Sequence, residues 1–367
     1  MSESQDVATP RATASAAVPW DPAVFRAGIE KTLRAFVDQQ SSWLDELGED
    51  AARLVEHART SVSGGKRFRA AFCWWGHLAV AEPEDPTGLL RACASLELLH
   101  ASALVHDDVM DASDVRRGRP ATHRAFETLH RDRRWSASPE QYGAAAAILL
   151  GDLLLSWSDE LLRTSGLPAP RVLDALGYFD LTRSEVVTGQ FLDVSAQARA
   201  TSDVDTAMNV VRYKSAKYSI ERPLHIGAAL AGARSLSALS AFGLPLGEAF
   251  QLRDDLLGAF GDEARTGKPV GDDLREGKPT PLLAIASERA RGDQVALLSL
   301  VGSSELTPDD IAAIQEVLVA TGAVAEIEQT IDRLTTEAIA SVEAARITPD
   351  ARTVLVELAE YVAWRDR

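Results

Sequence analysis

Two aspartate pairs stand far apart in helix-forming sequence, each with bases close downstream. The first lies in His106-Asp107-Asp108-Val109-Met110-Asp111 and is followed by Asp114, Arg116, Arg117, Gly118, Arg119 and Pro120. The second lies in Phe250-Gln251-Leu252-Arg253-Asp254-Asp255-Leu256-Leu257-Gly258. Asp107 and Asp111 are four residues apart, so on a helix they project from one face about one turn, roughly 5.4 Å, from each other. Such a pair can share hard cations. Bare carboxylates would repel a polyanion, but magnesium binds through a few carboxylates plus substrate phosphates and reverses the local sign. Two acidic walls of this kind can therefore capture a metal diphosphate. Lys268 and Lys278, in a glycine-bearing loop after the second pair, supply cations able to grip phosphate oxygens.

A single Asp-Asp pair is ordinarily a solvated helix end. Here the turns before each pair are apolar. Acids beneath an apolar helix must ligate cations or be buried unpaired, and burying uncompensated charge is prohibitive. A third constellation is Gly64-Gly65-Lys66-Arg67-Phe68-Arg69, where glycines free the backbone to approach an anion and bases follow at a helix start. It fits a second diphosphate, or a helix start with exposed bases. His100, seven residues before Asp107, lies on nearly the same helical face. On the residues alone, Tyr213-Lys214-Ser215-Ala216-Lys217-Tyr218 and Gly189-Gln190-Phe191-Leu192-Asp193 could equally be surface helix.

The elements that must position these groups are helices. From Asp21 onward apolar residues recur at helical spacing, as in Phe25, Ile29, Leu33 and Phe36, and strand-like alternation is nearly absent. Breakers fall at Ser63-Gly64-Gly65, 83–88, 117–120, 131–139 and 166–170, and 261–279 reads as a mobile loop. Leu89 to Met110 and Gly143 to Leu162 are apolar over most of their circumference, as buried central helices are. The aspartates then end core helices at a cavity mouth. The expected fold is all-α, one large domain over residues 21–367, with 1–20 a disordered tail rich in Ser, Ala, Thr and Pro.

With 367 residues and a net charge of −16, the chain is a poor partner for nucleic acid. The N-terminus lacks a secretory pattern, and no uncharged apolar run approaches the roughly 20 residues of a membrane span. Cys73 and Cys93, the only 2 cysteines, lack metal-ligand spacing and read as core thiols of a cytoplasmic protein.

Taken in order, these segments resemble the trans-isoprenyl diphosphate synthases, the polyprenyl synthetase family. Its two aspartate-rich motifs match Asp107 to Asp111 and Asp254 to Gly258, its glycine-lysine-arginine segment matches Gly64 to Arg69, and its double arginine matches Arg116-Arg117. The resemblance runs from about Asp21 to the C-terminus. It implies the isoprenoid synthase fold around a deep central cavity and a homodimer. By it, Asp107, Asp111 and Asp254 would coordinate three magnesium ions on an allylic diphosphate that Arg116, Lys214 and Lys268 also contact. Lys278 is a further substrate-binding cation, while Lys66, Arg69, His100 and Arg117 would hold isopentenyl diphosphate. Ser215 and Gln251 fall where the family places oxygen dipoles near a carbocation. The reaction implied is ionisation of the allylic carbon–oxygen bond, attack by the isopentenyl double bond, and loss of a proton to the released diphosphate.

This chain departs from the family at Gly258, which stands where the second motif often has a last aspartate, at Ser215 in place of a common threonine, and at Ala70 in place of a frequent proline. Small residues at Ser102 and Ala103 would leave a product shaft open beneath Asp107, with Leu99 a turn further on, or a residue of a facing helix, as its floor. Family members that stop at farnesyl carry an aromatic at one of the first two positions, so geranylgeranyl diphosphate is the expected product, with a longer-chain or farnesyl product the alternative. A class I terpene cyclase would pair its aspartates with an Asn/Ser/Glu metal site, and the sole asparagine, Asn209, has no such context. A non-catalytic prenyl synthase subunit would lose aspartates that both motifs here retain. The C-terminal Trp364 to Arg367 could fold over the substrate mouth.

Overall fold

The computed structural model describes residues 20–199, 203–261, 270–303 and 305–364. The helices are α1 (Pro22–Leu44), α2 (Glu49–Ser61), α3 (Phe68–Leu78), α4 (Pro86–Met110), α5 (Thr122–Arg133), α6 (Pro139–Arg163), α7 (Ala169–Arg199) and α8 (Val204–Val210). A π-helical segment (Val211–Glu221) follows, then α9 (Arg222–Leu230), α10 (Ser237–Phe260), α11 (Asp272–Glu276), α12 (Pro281–Arg289) and α13 (Asp293–Leu298). The last three are α14 (Pro308–Ala320), α15 (Ala323–Ala344) and α16 (Pro349–Trp364). Among the described residues the only strands are Val115–Arg116 and Arg119–Pro120, an antiparallel ribbon closed by Arg117-Gly118.

Several breaker prolines turn out to open helices. Asp85, Ser138, Thr280 and Thr307 each cap a helix whose first residue is proline, their side-chain oxygens accepting from backbone N–H groups of the first turn. The fixed φ of proline suits that position and its missing N–H costs nothing there. Pro86 to Gly88 and Ala169-Pro170 therefore belong to helices, where composition alone suggested connecting segments.

Two apolar clusters build the core. One packs α1, α4, α6 and α7, and the other packs α10, α12, α14, α15 and α16. Both include residues of α3 and α9, and Trp20, Trp74 and Leu78 pack against both, which joins them into one body. Trp20 meets Phe25 and Trp75 at centroid distances of 5.0 and 5.1 Å, so this residue packs on the core and is not part of a tail; residues 1–19 of the expected tail lie outside the described residues.

The segment with two lysines is a wide π-helix lodged between α7 and α10. Where Gly189 on α7 faces Lys214, and Gly247 on α10 faces Ala216, an added Cβ would run into the backbone of the segment. Glycine at both places lets three helices approach closely enough for Lys214 and Ser215 to be presented inward.

Behind this layer His225 is 3% exposed, with Nδ1 at 3.0 Å from Arg222 Nη1 and Nε2 at 2.9 Å from Ser240 Oγ. Arg222 in turn forks onto Glu185 at 2.7 and 2.8 Å. Burial first, opposed by Glu221 and aided by Arg222, pushes the His225 imidazole down to about 4. A folded-state value below the ordinary 6.5 means that the unfolded chain takes the proton first. The stability contributed by the neutral ring is therefore complete above pH 6.5 and is lost as pH falls toward 4. Between pH 7 and pH 5 the loss should amount to about 2 kcal/mol. In urea titrations the parent should lose about 2 kcal/mol more than His225→Gln between pH 7 and pH 5, the variant cancelling the opposite contributions of buried carboxyls such as Asp111 and Asp255; equal pH dependence of both proteins would refute it.

Among the described residues one helix, α4, is long and apolar enough to cross a membrane by length and composition, and 72% of its most apolar stretch is buried inside the bundle. Arg91 and Glu97 interrupt its apolar run, which is why no uncharged stretch of that length stands out in the sequence.

Candidate active site

The first acidic group forms the last turn of α4, with Asp111 as its cap. Asp108 is 2% exposed and accepts from Arg116, whose Nε lies 2.8 Å from Oδ1 and whose Nη2 makes a second contact to the same oxygen. Arg116 Nη2 also stands 3.6 Å from Asp107 Oδ2. The ribbon brings this arginine back over the helix end. Arg117, held at φ 53°, points the other way: Nη1 donates to the Ser63 carbonyl at 2.9 Å, and the guanidinium covers Gly65. The double arginine is thus divided between the aspartates and the glycine loop.

Opposite Asp107 stands Lys214, at 3.2 Å from Asp107 Oδ1 and 2.5 Å from Asp193 Oδ2. Burial disfavours the Lys214 ammonium, but Asp107 and Asp193 outweigh it and hold the lysine above its usual value. Lys278 Nζ joins the first acidic group to α11, at 3.7 Å from Asp111, 3.3 Å from Asp273 and 2.5 Å from Glu276. Its charge is likewise favoured against burial, here by Asp273, Glu276 and Asp111. Burial also works against Asp107, yet Lys214, Lys278 and Arg116 keep it below the ordinary carboxylate range. Asp111 is pushed up to about 6 by burial and then by Asp107.

Both oxygens of Asp111 are buried and accept no hydrogen bond, and buried Asp107 Oδ1 has the Lys214 ammonium at 3.2 Å. Hard carboxylate oxygens with so few donors in a buried site suit a magnesium ion. Among the described residues no three carboxylate, imidazole or thiol groups form a closed metal cage.

On α10, Gln251 Nε2 donates to Asp255 Oδ1 at 2.7 Å, and Ser215 Oγ donates to Gln251 Oε1. Burial raises Asp255 to about 8 against that Gln251 bond, with Asp273 and Asp254 adding to the rise. Asp254 is half-buried, one turn before Gly258 on the same face. The neighbouring Arg253 turns away, forking onto Glu328 at 2.6 and 2.7 Å and donating to the Ala363 carbonyl at 2.9 Å. This fastens the C-terminal helix beside the second motif. Lys268 lies outside the described residues.

The departure at Gly258 has a structural counterpart. An added Cβ there would fall onto the carboxylate of Asp273, which α11 carries into the space a longer side chain would fill. Gly258→Asp, although it would look more like the family motif, should therefore cost about 1–3 kcal/mol through overpacking. A denaturant midpoint unchanged from the parent would contradict this.

Around Gly64-Gly65, Arg69 lies 4.3 Å from the Tyr218 ring centroid and donates from Nη2 to Ser219 Oγ at 2.8 Å. His100 Nδ1 meets the Tyr218 hydroxyl at 2.9 Å. Burial and then Arg69 and Arg117 depress His100 well below its usual value, leaving a neutral ring, while burial pushes Tyr218 up to about 12. Lys66 Nζ stands 6.0 and 5.9 Å from the ring centroids of Phe68 and Tyr361, so the last described helix reaches the basic loop. Arg365 to Arg367 lie outside the described residues.

Of the three shaft residues, only Ala103 stays partly accessible beneath Asp107. Ser102 lies about 140° around the helix from Asp107. It is 3% exposed and donates to the Gly151 carbonyl of α6 at 2.7 Å, so it seals the α4–α6 contact instead of lining an open wall. Leu99, 2% exposed, is core. Asp193, Tyr218 and Asp273 were not selected by motif; Gly189 four residues before Asp193 was the one sequence signal for a close approach there.

A polyprenyl synthetase family model matches residues 51–318. The fold superposes on geranylgeranyl pyrophosphate synthase from Corynebacterium glutamicum, solved with isoprenyl diphosphate and magnesium, with a TM-score of 0.91 and 40% identity over 94% of this chain and 100% of that one. Geranylgeranyl diphosphate synthase of Methanosarcina mazei is 31% identical over 88% of this chain and 90% of its own length. (2E,6E)-Farnesyl diphosphate synthase of Mycobacterium tuberculosis is 32% identical over 92% and 87% respectively. With the family model spanning both aspartate motifs and the glycine loop, the chain belongs to the polyprenyl synthetase family, the trans-isoprenyl diphosphate synthases.

Proposed function

We propose that this protein condenses isopentenyl diphosphate with an allylic diphosphate (dimethylallyl, geranyl or farnesyl) and releases geranylgeranyl diphosphate. The observation that carries this reading is the pair of buried carboxylates, Asp107 and Asp111, facing the ammonium groups of Lys214 and Lys278, with both Asp111 oxygens accepting no hydrogen bond. Beside it lies a second cluster of cations around Gly65. Asp107, Asp111 and Asp254 would hold three magnesium ions, which when bound stabilise charge developing on the leaving diphosphate. Lys214, Lys278 and Arg116 orient that group, and Lys268 is assigned to the same role. Lys66, Arg69, Arg117 and the neutral His100 hold the second diphosphate. Ser215 and Gln251, hydrogen-bonded to each other, are assigned to supply oxygen dipoles where positive charge on carbon would form. The proton lost from the condensation product passes to the released diphosphate.

The C20 product is supported by partly open Ala103 and by 40% identity to a geranylgeranyl synthase. A homodimer is supported by exposed apolar side chains on α6 and α7, among them Leu149 at 62% and Phe191 at 68%. A cytoplasmic setting is supported by two buried, unlinked cysteines. The purified chain should incorporate radiolabelled isopentenyl diphosphate with each allylic primer and yield the C20 alcohol after dephosphorylation. Absence of incorporation by the chain alone would point to a regulatory subunit and overturn the proposal.

A further inference from the structure

The run Lys66-Arg67-Phe68-Arg69 offers three cations, and Arg67 is withheld from the anion site. Its backbone is left-handed, with φ 59° and ψ 34°, a conformation costly for any residue with a Cβ. This twist sends its side chain inward, where it is 4% exposed. Nη1 donates to Glu97 Oε2 at 3.0 Å and Nη2 to the Val62 carbonyl at 2.6 Å. Glu97, also 4% exposed, accepts the Ala70 N–H on its other oxygen at 3.2 Å. Ala70 is in the first turn of α3, whose N–H groups lack intrahelical partners and favour a carboxylate.

We propose that Arg67 and Glu97 are a positioning pair that fixes the Gly64–Arg69 loop for the diphosphate of isopentenyl diphosphate, an inference that rests on the reading of that loop given above. Glu97 ties down both ends of the turn, the left-handed arginine and the start of α3. It also neutralises Arg67, which otherwise adds its charge to that of nearby Arg117. The cations left to face an anion are Lys66, Arg69 and Arg117. Glu97 stands three residues before His100 on α4, so one rigid helix sets both the loop and the imidazole.

The test separates backbone strain from the ion pair. Arg67→Gly suits φ 59° better than arginine, so its effect reports the loss of the side chain and its ion pair and not backbone strain. With full-length holoenzyme, KM for isopentenyl diphosphate should rise by about tenfold or more, while kcat and KM for the allylic primer stay within about threefold. Glu97→Gln, nearly isosteric, should give the same split and carries the test should Arg67→Gly not fold. An unchanged KM for isopentenyl diphosphate in a folded variant, or an equal rise for both substrates, would overturn the pair's role. Failure of the parent chain to turn over isopentenyl diphosphate would instead overturn the reading of the loop itself.

Discussion

Asp111→Ala is expected to lower kcat/KM by about 10²–10³-fold, the scale of losing one charge-stabilising contact in a transition state. The same change should not harm the metal-free fold. Asp111 buries a carboxyl whose two oxygens accept no hydrogen bond and whose proton affinity is raised by burial and by Asp107. With Lys278 no nearer than 3.7 Å, such a group is unfavourable to folding until a metal ion arrives. In the presence of a chelator the variant should therefore melt no lower than the parent, and added magnesium should raise its melting temperature less. Activity and stability would move in opposite directions, as they do where a site is held ready for a ligand. Should Asp111→Ala melt lower without metal and retain activity within about tenfold, the carboxylate is structural.

Ala103→Phe is expected to shorten the product, with farnesyl replacing geranylgeranyl as the main alcohol on gas chromatography after dephosphorylation. Ala103 lies one turn before Asp107 on the same face of α4 and is partly accessible. A phenyl ring projecting there fills space at a depth comparable to one isoprene unit. Ser102→Phe should behave differently: Ser102 is bound to the Gly151 carbonyl across the α4–α6 contact, so an aromatic there must first push those helices away from each other. Its main effect should be on stability, by about 1–3 kcal/mol. Unaltered product length in a folded Ala103→Phe enzyme would remove α4 from the shaft.

Much of this site was legible because helix geometry is periodic. The four-residue spacing of Asp107 and Asp111 and the apolar turns before them imply two buried acids on one face, and that is where they lie. Periodicity also locates His100 relative to Asp107. It says nothing about contacts across the bundle. Asp193 reaching Lys214, Tyr218 reaching both Arg69 and His100, and Asp273 entering the space left at Gly258 depend on which helices become neighbours. The π-helical winding of Val211–Glu221 was likewise invisible, and so was its close packing against Gly189 and Gly247 on other helices. Arg67 shows the same limit in reverse: a basic run suggests three equivalent cations, and one left-handed residue removes the middle one.

Calorimetric titration of a nitrogen-containing bisphosphonate into the purified protein tests the central claim most directly. The two acidic walls should bind this diphosphate mimic when magnesium is present, fail to bind it in chelator, and bind it far more weakly in Asp111→Ala. Equal affinity with and without magnesium, or undiminished affinity in Asp111→Ala, would contradict the account.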